Sequence, residues 1–105
     1  MLRWAGDWRA FLAEIAAHKD RTLLDQWELQ MQCKVLDRIG QDRLWFVSDG
    51  IDARTQGRIA VHPILGPEGA QARAQRAIDD FAAAHPAARI AAVPGGPYTM
   101  LRKAG

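Results

Sequence analysis

Five consecutive residues, Leu44-Trp45-Phe46-Val47-Ser48, form a largely apolar run enclosed by Arg43 on one side and Asp49-Gly50 on the other. A run this short and this solidly apolar is expected to be a strand covered on both faces, the environment of a parallel sheet with helices above and below. On either side of it apolar residues recur at helical rather than strand spacing. The chain therefore switches period at Leu44, and that switch places it in the α/β class. At 105 residues it has room for one domain, 1–105, and not for two.

The helical segments can be placed from their ends. Asp7 is a fair N-cap for a helix carrying Trp4, Trp8, Phe11, Leu12 and Ile15 inward and ending near His18-Lys19. Thr22 and Asp25 form a short-armed capping box for a second helix. That helix has two apolar stripes, one of Leu24, Trp27, Met31, Val35 and Ile39 and another of Leu29, Cys33 and Leu36. A surface helix needs only one apolar face. Either this helix is sandwiched inside the domain or one face awaits a partner.

After the central run, a short helix over 51–56 leads to a weaker strand, Ile59-Ala60-Val61-His62. Gly66-Pro67-Glu68 signals a helix start, and the helix carries Ala70, Ala74, Ala77, Ile78 and Phe81 inward before stopping at His85-Pro86. Ile90-Ala91-Ala92-Val93 reads as a third strand. The expected architecture is a small three-layer α/β domain with a short, mainly parallel three-stranded sheet and about four helices. Ligands in such sheets gather at the carboxyl ends of the strands, here Ser48-Asp49-Gly50, the His62-Pro63 region and the Pro94-Gly95-Gly96-Pro97-Tyr98 loop.

Charge and motifs exclude several functions. Fourteen Lys and Arg oppose twelve Asp and Glu, and the basic residues are dispersed, so no nucleic-acid partner is expected. No apolar run approaches the roughly 20 residues that span a bilayer, and Met1–Asp7 is no secretory signal, so no membrane role is expected. The single cysteine, Cys33, fits a reducing cytoplasmic setting and reads as a buried thiol. The chain has no GxGxxG after a strand, no GxxxxGK[ST], no GxSxG, no HxxxH and no CxxC. His18, His62 and His85 fall in separate elements, so no metal site is expected.

The cluster Asp25-Gln26-Trp27-Glu28-Leu29-Gln30 is less ordinary. Capping plus a solvated face, with Trp27 in the core, accounts for it. A binding role is the alternative. Read with the strand Leu44–Ser48 and the ending Val93-Pro94-Gly95-Gly96-Pro97-Tyr98-Thr99, the string Leu24–Gln30 resembles the C-terminal domain of the nickel-dependent lactate racemases over roughly residues 6–99.

The resemblance implies a cleft-closing domain of a 2-hydroxyacid racemase or epimerase. Its N-terminal domain would hold a nickel-pincer nucleotide and supply the acid-base histidines. This chain matches only the second domain, so it holds no cofactor and has no catalytic residue of its own. On the resemblance, the cleft candidates are Asp25, Gln26, Gln30, Ser48, Gly95, Gly96 and Tyr98, and the partners are the absent N-terminal domain and a small 2-hydroxy acid. The rival expectation is a stand-alone, non-catalytic interaction module, docking through the Trp4/Trp8 face or through the Leu29, Cys33, Leu36 stripe.

Overall fold

The computed structural model describes residues 2–22, 26–98 and 102. A single 3₁₀ turn, Leu2–Trp4, precedes α1 (Trp8–Ala17) and α2 (Gln26–Ile39). A second 3₁₀ turn, Gln41–Arg43, leads into β1 (Trp45–Phe46), α3 (Ala53–Gln56), β2 (His62–Pro63) and α4 (Ala70–Ala84), and a third covers Gly96–Tyr98. The result is a small α/β domain of four helices and a two-stranded parallel sheet.

Helix starts follow local chemistry. Asp7 Oδ1 accepts from the Ala10 N–H at 3.0 Å, and Asp52 Oδ1 accepts from the Thr55 N–H at 2.8 Å, so each acid caps the helix that follows it. α4 begins later than Pro67 suggests. Gly69 is its N-cap and has no side chain to offer, and Asp49, 21 residues back, accepts the Ala70 N–H on Oδ2 at 2.8 Å instead.

The strands pair in the register Trp45 with His62 and Phe46 with Pro63. The His62 N–H donates to the Leu44 carbonyl at 2.9 Å and the Ile64 N–H to the Phe46 carbonyl at 2.8 Å. Pro63 falls between these donors, on the alternation that faces away from β1, where its missing N–H costs no ladder bond.

Both strands are shorter than the sequence suggests. Ala60 has φ +56°, a left-handed conformation that no strand contains, so the ladder starts only at His62. Ala60 and Val61 go into the core instead, 0% and 8% exposed. At the other strand, the Ser48 carbonyl is taken by side chains rather than by a ladder. Nor is β1 covered on both faces, since Trp45 is 46% exposed. The expected third strand is not formed: Ile90–Val93 is exposed and carries no strand pairing. Pro63 also denies the outer edge of β2 a donor for such a neighbour.

The core is made by α1, α2 and the α3–β2 loop. Trp8, Phe11, Cys33, Leu36 and Ala60 are buried together, with Trp4, Leu12, Ile15, Leu29 and Leu44 packed against them. The Trp4 ring meets Phe11 edge-on at 4.8 Å, and its Nε1 donates to Glu14 Oε2 at 2.8 Å. Trp8 is therefore interior and Trp4 half-buried against Phe11, so this face exposes less apolar surface to a partner than the sequence suggests.

The two stripes of α2 separate cleanly. Leu29, Cys33 and Leu36 face the core, which removes them as a docking surface, while Trp27, Met31, Val35 and Ile39 face solvent. Trp27 is thus not the core residue that the capping account requires. α4 turns the expected face inward only in part: Ala70, Ala74 and Ala77 are half-buried beside a buried Arg73, whereas Ile78 and Phe81 are exposed. The radius of gyration is 16.1 Å, against about 13 Å for a compact domain of this length. A core confined to one end leaves large apolar side chains uncovered elsewhere.

Candidate functional site

The residues singled out by the resemblance fall into three places. Asp25 lies outside the described residues, as do Leu24 and Thr99 of the motifs. Gln26 and Gln30 sit one turn apart on α2, both half-buried, with the Gln26 Nε2 donating to Gln30 Oε1 at 3.5 Å. Ser48 lies just beyond β1, and its Oγ accepts from the Gly50 N–H at 3.0 Å. Gly95 accepts the Tyr98 N–H at 2.9 Å to close the last turn. Gly96 has open space around it, and Tyr98 is 96% exposed.

What surrounds Ser48 is a brace that the sequence does not advertise. Arg73 is 5% exposed. Its Nε donates to the Ile64 carbonyl at 3.0 Å, Nη2 to the Ser48 carbonyl at 2.9 Å, and Nη1 to the Glu68 carbonyl. Nη2 also meets Asp49 Oδ1 at 3.1 Å. One guanidinium thus joins the carboxyl ends of both strands to α4, which suits its rigid five-donor fork. Gln56, 2% exposed, adds a bond from Nε2 to the Ser48 carbonyl at 3.3 Å. At this edge the polar atoms serve the scaffold.

The same arrangement sets the acids. The Ala70 N–H, then Arg73, holds the Asp49 carboxyl below its ordinary value. Asp52 is lowered by the Thr55 N–H and hydroxyl. Glu68 is lowered first by its own backbone N–H and then by Arg76, with which it forms an exposed ion pair. A carboxylate held low stays ionised and is a poor general acid.

Two surfaces remain unsatisfied. The first is the outer face of α2, where Trp27 is 69% exposed and Met31 55%. Val35 and Ile39 continue it toward Gly40, whose φ of +84° ends the helix. Glu28 and Arg38 are exposed near its two ends.

The second is a cavity of about 680 Å³ between β1 and α4. Trp45, Ile78, Phe81 and Ile90 form its walls. Trp45 and Phe81 meet edge-to-face at 6.0 Å, and His85 stacks on Phe81 at 4.4 Å. Asp42, Arg43, His85 and Arg89 contribute polar groups. None of the cleft candidates lines it. The signal in the sequence was there: Ile78 and Phe81 share the helical spacing of α4, but that spacing alone reads as core.

Metal and nucleophile chemistry find little here. Among the described residues, no three His, Cys, Asp or Glu side chains form a group that could hold a metal ion. Burial pushes the Cys33 thiol up, and its Sγ faces the Trp8 carbonyl at 3.9 Å. No described helix is long and apolar enough to cross a membrane. Compared with known proteins, the chain matches no family model, no curated protein and no solved structure.

Proposed function

We propose that this chain is a non-catalytic docking domain that seats the outer face of α2 on a protein partner. One observation carries the reading: the same helix buries Cys33 and Leu36 on one side and presents Trp27, Met31, Val35 and Ile39 to water on the other. Leaving a tryptophan and a methionine exposed on an ordered helix is unfavourable by about 25 cal/mol for each Å² of apolar area, and a partner removes that cost. Exposed aromatic anchors are also what protein interfaces are built around.

The resemblance of Leu24–Gln30, Leu44–Ser48 and Val93–Thr99 to lactate racemases gives the partner its identity in this proposal. The partner is the nickel-pincer-bearing catalytic domain of a 2-hydroxyacid racemase, with this chain closing its cleft. Gln26 and Gln30, next to the docking stripe, are then placed to orient substrate.

The test mixes the purified chain with such a catalytic domain lacking its own C-terminal domain. Association and recovered 2-hydroxy-acid turnover, both lost in Trp27→Glu, support the proposal. Association with unchanged turnover in Gln26→Ala removes that residue from the cleft. An absence of association overturns the racemase assignment. Sedimentation of the chain alone then shows whether the α2 face binds a second copy.

A further inference from the structure

A different surface carries a second kind of binding. We propose that the groove between β1 and α4 is a binding site for a small aromatic monocarboxylate. Its volume of about 680 Å³ lies within the range of small-molecule sites, roughly 300–1,000 Å³. Its walls are apolar yet uncovered: Trp45, Ile78, Phe81 and Ile90 are 46%, 45%, 37% and 55% exposed.

Two features of the walls specify the ligand's body. Trp45 and Phe81 already stand edge-to-face, with their ring planes at 87°, and Phe81 and His85 stack face to face. A third ring entering this array gains the same offset and edge contacts, which a straight alkyl chain does not. The His85 Nδ1 faces the Phe81 carbonyl at 3.1 Å and the Trp45 Nε1 donates to the Asp42 carbonyl at 2.8 Å. Both rings are thereby held in place before any ligand arrives.

The polar groups specify its charge. Arg43 and Arg89 line the groove, and neither forms an ion pair or side-chain hydrogen bond among the described residues. Other cations at this end of the fold are engaged, Arg73 by Asp49 and Arg76 by Glu68. A guanidinium fork matches a planar carboxylate in two parallel bonds. Asp42 also lines the groove, and its carboxylate has no ion pair among the described residues, so a single negative charge is favoured over a phosphate or a dicarboxylate.

The probe is 3-phenylpropionate, with 3-phenylpropionamide as its neutral counterpart, titrated into the full chain. The indole N–H signals of the four tryptophans are followed by NMR. The expected result is saturable one-to-one binding that moves the Trp45 signal and leaves that of Trp27 in place. The amide, and each of Arg43→Gln and Arg89→Gln, should bind about tenfold more weakly. Both arginines are surface residues, so the variants keep the fold, and circular dichroism verifies it. Equal binding of acid and amide, unchanged affinity in both variants, or no saturable shift at Trp45 overturns the proposal. A Trp45 signal that moves with protein concentration alone puts a second copy in the groove and overturns it too. None of these outcomes bears on the α2 face.

Discussion

The Arg73 Nη2 on α4 donates to the Ser48 carbonyl oxygen at 2.9 Å, across 25 residues of sequence. The bond joins the end of β1 to a helix that begins after β2. With the bonds to Ile64 and Glu68, it makes Arg73 a brace between the ends of both strands and α4. Arg73→Met leaves the Ile64 and Glu68 carbonyls without this donor and the Ser48 carbonyl with Gln56 alone, and should cost about 3 kcal/mol in urea denaturation. Arg76→Ala, which breaks only an exposed pair, should cost under about 1 kcal/mol. Equal costs would mean that the brace is not structural.

The acids predict a pH dependence whose sign is fixed. Asp49, Asp52 and Glu68 have folded pKa values below their unfolded ones. Their stabilisation is therefore complete above the ordinary carboxylate range and is lost as pH falls through the lowered folded values. These three groups should contribute a loss of melting temperature that sets in as pH falls below about 4.5. Asp49→Asn keeps an acceptor for Ala70 but loses the titration, so its acid drop should be shallower. A drop identical to that of the parent would remove Asp49 as a contributor.

The two faces of α2 should respond oppositely to substitution. Trp27→Ser should change stability by no more than about 0.5 kcal/mol, because the ring is mostly in water. Phe11→Ala, at 0% exposure opposite that helix, should cost about 3–5 kcal/mol and unfold much of the population. A large loss for Trp27→Ser would place that ring in the core and undercut the docking proposal.

Two glycines separate backbone strain from crowding. Gly6 and Gly40 both have positive φ, +85° and +84°. A Cβ at Gly40 meets nothing, whereas one at Gly6 comes to 3.2 Å from the Arg58 backbone. Gly40→Ala should cost about 1–3 kcal/mol from its positive-φ backbone alone, and Gly6→Ala should add the cost of crowding against Arg58 to its own positive φ. Thermal melts of the two variants check the order.

Cys33 should be inert in the folded chain. The thiol is 0% exposed and its pKa is raised by burial, so thiolate is scarce. A disulfide reagent should label it only at the rate of unfolding and label it fully in urea. Rapid labelling under native conditions would show that the core opens at α2.

The sequence by itself determined the α/β class, α1, the two-sided character of α2, the β1 position and the C-terminal end of α4. These follow from local period and caps, such as Asp7 on Ala10 and the positive-φ glycine after Ile39. It could not say which stripe of α2 is buried, because Trp27–Ile39 and Leu29–Leu36 are equally apolar and only the position of α1 chooses between them. Nor could it foresee Arg73 inside and Phe81 outside. Arg73 is drawn inside by carbonyls from Ser48, Ile64 and Glu68 converging on its guanidinium. The third strand failed for the same kind of reason: Ile90–Val93 has the composition of a strand, but pairing requires a free edge in reach, which only the assembled fold provides. The sequence marked residues around Ser48 as a candidate site, and the tertiary structure turned those polar atoms to the scaffold. It left the unsatisfied apolar and cationic groups on α2 and along α4, where burial, charge and space are settled by packing rather than by spacing.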